Sequence, residues 1–356
     1  MKISYNGWDR EYLENKEKYY ELFDRTMVKE YEGSTEELEN AICDYIGRKY
    51  CVSVSSATDA LYFSLLSHGV GPGDEVLVTD FSWISTSSCI SMAGATPIFC
   101  DIDLESYHIS LDSIKRMVSN KTKALIYTHL FGNMSDTKEI LDFCKENNIA
   151  FVEDAAQSLG STYNGIKAGS IGDCSSYSFN ANKVIAGISG GGMFMTDNEE
   201  QAEMVKKLRR HGKGKDHEIL GYNSKMFVPN ADVILFRLQN MEKWQKRRQE
   251  IAKIYDEEFS EIVIIQQVDP NVNHNYHKYV IRFEDKETRK RVKNELSASI
   301  HYERPLSSNS MYNNIPHRKD DCKNSKLVSD TILSLPIHAW LTEDEINKIS
   351  DTVTLA

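Results

Sequence analysis

Residues 176–197, SYSFNANKVIAGISGGGMFMTD, hold one lysine, Lys183, between two apolar strand-like runs. Its neighbours are small: Ala181, Ala186, and the cluster Gly187, Gly190, Gly191 and Gly192. A long amine in a turn built for close backbone approach is placed to attack a carbonyl; the plain alternative is a solvated loop lysine. A second stretch, IAFVEDAAQSLG, ends an apolar run in Glu153 and Asp154, followed by small residues and Gln157. A carboxylate there is partly desolvated and stays ionised when it faces a cation; otherwise it caps a helix. A third, YCVSVSSATDALYF, ends a strand in Ser55, Ser56, Ala57 and Thr58 and opens a helix. The free N–H groups and dipole of a helix N-terminus suit a phosphate, although taken alone this is a plain Ser/Thr N-cap. Ser178, at the end of the strand before Lys183, is a second phosphate candidate.

An amine for a Schiff base, a carboxylate for a protonated ring nitrogen, and hydroxyls with helix amides for a phosphate are what pyridoxal 5′-phosphate (PLP) requires. Each signal is weak alone. In this order, on successive strand ends, they point together to that cofactor.

The elements that must position these groups are legible. Seven apolar runs read as strands: 50–56, 74–80, 96–103, 123–129, 149–155, 175–179 and 192–197. Helical patterns fall between many of them, such as TDALYFSLLSHG, with Leu61, Leu65 and Leu66 on one face, and TKEILDFCKENN, with Ile140, Leu141 and Cys144 on one face. Short apolar strands alternating with helices predict an α/β fold with a mostly parallel seven-stranded sheet covered by helices on both sides. From about residue 236 the character changes. RLQNMEKWQKRRQEIAKIYDEEF reads as one long amphipathic helix without Gly or Pro, followed by the strand KYVIRF and the helix KETRKRVKNELSAS. We therefore expect a large domain over residues 1–235 and a smaller C-terminal α+β domain over residues 236–356.

Composition narrows the partners. The chain has 356 residues and a formal net charge of −11, and no basic block of the kind a nucleic acid needs. Its densest basic stretch, MEKWQKRRQE, is interleaved with acids and reads as an exposed helix face. No run approaches the ~18 apolar residues of a membrane span. The start, MKISYNGWDREYLENKEKYY, lacks a signal-peptide core, so a cytoplasmic location is expected. Seven cysteines (Cys43, Cys51, Cys89, Cys100, Cys144, Cys174, Cys322) show no CxxC spacing and read as reduced core thiols, with no metal site expected.

The chain resembles the DegT/DnrJ/EryC1 family of sugar aminotransferases, in the aspartate-aminotransferase-like, fold type I group of PLP enzymes. The resemblance runs from about residue 35 to the C-terminus. It is carried by SSATDALYFSLLSHGVGPGDEVLVTDFSWIST, THLFGN, VEDAAQSLGSTYNGIKAGSIGDCSSYSFNANK, LGYNSKM and LSLPIHAWLTEDEI. It implies that Lys183 is the Schiff-base lysine, that Asp154 pairs with the ring nitrogen, and that Gln157 bonds the phenolic oxygen. Trp83 would stack on the ring, a core tryptophan being the alternative. Ala57, Thr58 and Ser178 would cradle the phosphate, with Asn223 reaching it from the neighbouring subunit of a homodimer with shared active sites. Family members that replace the lysine with histidine dehydrate instead, so Lys183 favours transamination.

The resemblance further implies L-glutamate as amino donor and a nucleotide-linked keto-deoxy sugar as acceptor, in bacterial surface-glycan or secondary-metabolite sugar biosynthesis. A sugar diphosphate needs cations of its own. The candidates are Lys213, Lys215 and His217 in HGKGKDHEILGYN, and His301 and Arg304 in IHYERPL; Glu303 opposes them. Two alternatives stay open: a PLP transaminase of a free keto sugar or cyclitol precursor, and a non-catalytic PLP-binding regulatory protein.

Overall fold

The computed structural model describes residues 3–4, 6–28, 33–296 and 298–355. The strands described are β1 (Tyr50–Val54), β2 (Glu75–Thr79), β3 (Thr96–Cys100), β4 (Thr122–Thr128), β5 (Ala150–Asp154), β6 (Thr162–Tyr163), β7 (Ile166–Lys167), β8 (Cys174–Ser178), β9 (Gly192–Thr196), β10 (Ile264–Ile265), β11 (Val272–Asn273), β12 (Tyr279–Arg282), β13 (Arg318–Lys319) and β14 (Ile332–Leu335).

The central sheet has eight strands in the order β1-β9-β8-β5-β4-β2-β3-β13. All seven expected strands are in it. β9 runs antiparallel to both β1 and β8, and the other neighbours pair in parallel. The eighth strand, β13, comes from the C-terminal third and pairs with β3 at the edge. Two exposed basic residues carry no apolar alternation, so nothing local announces that strand.

The continuous apolar runs follow from burial on both faces. Along β2, Val76 and Val78 enter a core with the helix Ala57–Ser67, whereas Leu77 enters another with Ile98, Leu125 and Phe151. Alternate side chains of a strand point to opposite faces, so one strand feeds two cores. A separate core lies around the antiparallel sheet β10-β12-β14. The helices Met241–Phe259, Lys286–Leu296 and Glu343–Thr354 cover it, and Ile3 packs into it. A third small sheet joins β11, β6 and β7.

Two expectations about the long helix are corrected. It begins at Met241; Arg237 and Leu238 end the preceding helix, Val228–Leu238. Asn240 Nδ2 bonds back to the Phe236 carbonyl at 3.1 Å, the local competition by which Asn favours helix boundaries. Nor is MEKWQKRRQE wholly exposed. Arg248 is buried and donates to the carbonyls of Tyr276 at 2.9 Å and Ile337 at 2.7 Å. The seven cysteines are free thiols, all buried except the half-buried Cys43. No helix among the described residues is long and apolar enough to cross a membrane.

Candidate active site

The C-terminal ends of parallel strands are where open α/β sheets bind ligands. Here the ends of β1, β2, β5 and β8 converge on one cleft, lined by Ala57, Thr58, Trp83, Asp154, Gln157, Ser178, Lys183 and His301 among others. Eight separately proposed residues thus meet in one place.

Asp154 is the last residue of β5 and is 4% exposed. Its carboxylate accepts from Thr86 Oγ1 at 3.0 Å, Thr128 Oγ1 at 3.4 Å and the Ala156 N–H at 3.2 Å. Burial nevertheless raises its pKa, with these bonds and the Lys183 charge opposing. Glu153, one residue earlier and so on the other face, is spent on structure. It accepts from the backbone N–H groups of Gly169 and Ile171, both at 2.7 Å, and lies 2.9 Å from His129 Nε2.

Lys183 follows β8 in a turn closed by its own N–H on the Asn180 carbonyl at 2.9 Å. Burial lowers its pKa from 10.5 to about 8, while Asp154 pulls the other way. Ser56 caps the helix Ala57–Ser67 by accepting from the Asp59 N–H at 3.1 Å. The capping reading and the anion reading therefore coexist: a cap satisfies only part of the first turn's amides. Gly192 lets this helix end approach β9. A Cβ there would lie 2.3 Å from the Ser56 carbonyl carbon and 2.5 Å from the Ala57 nitrogen.

Gln157 bridges to the C-terminal part of the chain. Its Oε1 accepts from the Phe131 N–H at 3.0 Å and its Nε2 donates to the Tyr302 hydroxyl at 3.2 Å. Trp83 stands at the rim, 56% exposed, with its ring 6.1 Å from that of Tyr302. It is therefore no core tryptophan.

Several residues of the cleft were not singled out from sequence: Thr86, Ser85, His277, Lys278 and Tyr302. Thr86 and Ser85 had a faint signal, as hydroxyls three and two residues after Trp83. The others lie beyond residue 236, where only tertiary contact brings them near Lys183. The fold does not bring Arg304, Lys213, Lys215, His217 or Asn223 to this chain's cleft. Arg304 is exposed beyond Tyr302. Lys213 and His217 pair with each other in an exposed loop, and Asn223 pairs with Arg210.

These residues fit PLP. The buried carboxylate of Asp154 receives only neutral donors in its hydrogen bonds, and a protonated ring nitrogen would supply the cation that burial makes it lack. The capped helix end and Ser178 offer a phosphate seat, and Lys183 has the depressed pKa of a nucleophilic amine. Fold and site together define a PLP-dependent transferase of fold type I.

The profile of the DegT/DnrJ/EryC1/StrS aminotransferase family matches residues 14–354. The chain belongs to that family and is a PLP-dependent sugar aminotransferase. It is 30% identical over 356 residues to GDP-perosamine synthase of Caulobacter vibrioides, covering 97% of this chain and 94% of that protein. It is 29% identical over 326 residues to dTDP-3-amino-3,6-dideoxy-alpha-D-galactopyranose transaminase of Aneurinibacillus thermoaerophilus, covering 90% and 89%. Among solved structures, the PLP-form of Spr1654 from Streptococcus pneumoniae superposes with a TM-score of 0.87 at 26% identity, covering 95% of each chain.

Proposed function

We propose that the protein moves an amino group from L-glutamate to a nucleotide-linked keto-deoxy sugar, as a cytoplasmic homodimer serving surface-glycan or secondary-metabolite sugar synthesis. One observation carries this reading. Lys183, Asp154 and the helix end at Ala57 share a cleft whose remaining wall, His277, Lys278, His301 and Tyr302, comes from residues 236–356, which we take as the smaller domain. Relatives named for GDP- and dTDP-linked sugars support the activated acceptor.

PLP, when bound, supplies an electron sink and carries the amino group between the two substrates. The chain's own residues do the rest. Asp154 would hold the proton on the ring nitrogen. Lys183 would attach the cofactor and, as a free amine, would serve as the base that takes the donor's α-proton and the acid that gives it back. Its lowered pKa keeps a share of that amine neutral and able to accept the proton. Gln157 would hold the phenolic oxygen, Trp83 would cover the ring, and Ala57, Thr58 and Ser178 would receive the phosphate. His301 would meet the sugar substrate from the cleft wall, and Arg304 would reach it from outside the cleft.

In the dimer, the partner's Asn223 completes the phosphate seat. Since Asn223 pairs with Arg210, the loop that lends it would also lend Lys213 and Lys215 to the sugar diphosphate. Exposed apolar side chains, Ile188 at 62% and Phe227 at 55%, support burial against a second copy. The test is a screen of nucleotide-linked keto sugars with L-glutamate, read by mass spectrometry for the aminated product.

A second acceptor class, a free keto sugar or cyclitol precursor, is favoured by the position of Arg304 outside the cleft and of Glu303 beside it in sequence. Turnover of one keto sugar with and without its nucleotide diphosphate, at low and high salt, separates the two. A preference for the activated form that weakens with salt supports the first reading.

A further inference from the structure

Lys278 is a second lysine in the cleft of Lys183. It immediately precedes β12 and is 7% exposed. Its backbone N–H donates to the Phe131 carbonyl at 3.3 Å, and the Phe131 N–H donates to Gln157 at 3.0 Å. Lys278 is thus registered to the wall formed by Gln157 and Tyr302, on elements other than those of the phosphate seat. The charge balance there is one-sided. Lys183, His277, Lys278 and His301 line the cavity, and Asp154 is the one carboxylate among the residues lining it. Asp154 is already engaged by Thr86, Thr128 and the Ala156 amide. Burial and mutual repulsion keep these basic groups from charging together: beyond burial, Lys183 and Arg248 push Lys278 down, and Lys278 and Lys183 push His301 down to about 3. An anionic ligand group entering this cavity would meet several basic side chains and would favour their protonated forms.

We infer that Lys278, flanked by His301, seats a carboxylate of the amino donor. The inference rests on the aminotransferase reading. Two kinds of anion must enter the cleft. The cofactor phosphate has its own seat at the helix Ala57–Ser67. An amino-acid donor carries its α-carboxylate on the carbon that bears the reacting nitrogen. That carboxylate therefore lies close to the amine of Lys183 whenever the nitrogen is handed over. A cation sharing the cavity of Lys183 suits it. A sugar acid would bring the same chemistry from the acceptor side, and the experiment separates the two sources.

Glutarate, which has both carboxylates of L-glutamate and no amine, is titrated calorimetrically into the PLP-loaded wild type, Lys278→Met and Lys278→Arg; glucuronate is titrated in parallel. Binding of these probes needs no turnover. Loss of one charge-assisted hydrogen bond should weaken glutarate about tenfold or more in Lys278→Met, with Lys278→Arg within a few-fold of wild type. Lys278→Gln is carried alongside, so that poor folding of one variant does not decide the result. Glutarate affinity unchanged in both neutral variants overturns the subsite. Loss confined to glucuronate overturns the donor assignment and gives the carboxylate to the acceptor. Failure of the aminotransferase reading itself looks different: the wild-type cofactor absorbance would not respond to any L-amino acid.

Discussion

Thr86 Oγ1 donates to Asp154 Oδ2 at 3.0 Å, and the same hydroxyl lies 3.0 Å from Ser82 Oγ. The helix after β2 thereby fixes the rotamer of a carboxylate on β5. Asp154 enters the cleft already oriented, with burial making it short of a cation.

Asp154→Asn should keep the fold, since an amide oxygen can still accept from Thr86, but it removes the charge proposed to hold the ring-nitrogen proton. Losing one preorganised electrostatic partner commonly costs ~3–4 kcal/mol, so the half-reaction with L-glutamate should slow by more than two orders of magnitude. Rapid-mixing absorbance of the bound cofactor measures it. A near-native rate would remove Asp154 from the mechanism.

Lys183 should take up PLP with a pH midpoint near 8. The neutral amine is the reactive form, and burial favours it; Asp154 opposes, while His277, Lys278 and His301 line the same cavity. Uptake by the apoprotein should therefore accelerate as pH rises through about 8. Between about 8 and 10.5 the unfolded chain binds more protons at this group than the folded one, so it makes apoprotein stability rise with pH across that window. Borohydride reduction and peptide mapping should find the pyridoxyl group on Lys183. A label on another lysine, or a midpoint at the ordinary lysine value, contradicts the assignment.

Gly192→Ala tests the phosphate seat through packing. The added Cβ meets the Ser56 carbonyl and the Ala57 nitrogen, both backbone, so the helix end must shift. Overpacking of this kind costs roughly 1–3 kcal/mol. The apoprotein should melt earlier and PLP should bind more weakly, read by calorimetry and by equilibrium dialysis. Unchanged PLP affinity would move the phosphate elsewhere.

Mixed dimers test the shared site. Lys183→Ala and Asn223→Asp should each be inactive, and co-assembled heterodimers should regain part of the activity, because one of their two sites carries neither change. Verified heterodimers without rescue, or an active monomer, would defeat the arrangement.

The half of the candidate site built on strand ends was legible because its signals are local. Asp154 and Ser178 stand where an apolar run stops, which marks a strand's end whatever lies around it, and Lys183 stands in the small-residue turn that follows. The unbroken apolar run through Val76, Leu77 and Val78 likewise announced a strand buried on both faces. The tertiary structure alone decided the second wall. Lys278 opens the run KYVIRF like any lysine at a strand's edge, and Arg248 sits in a basic helix face that reads as solvated. Both are buried, and Lys278 lines the cleft, only because the core around β12 and β14 packs the helix Met241–Phe259 against residues 274–278. β13 and Tyr302 were hidden for the same reason. Their places follow from contacts between residues far apart in the chain, whose free energy no local pattern encodes.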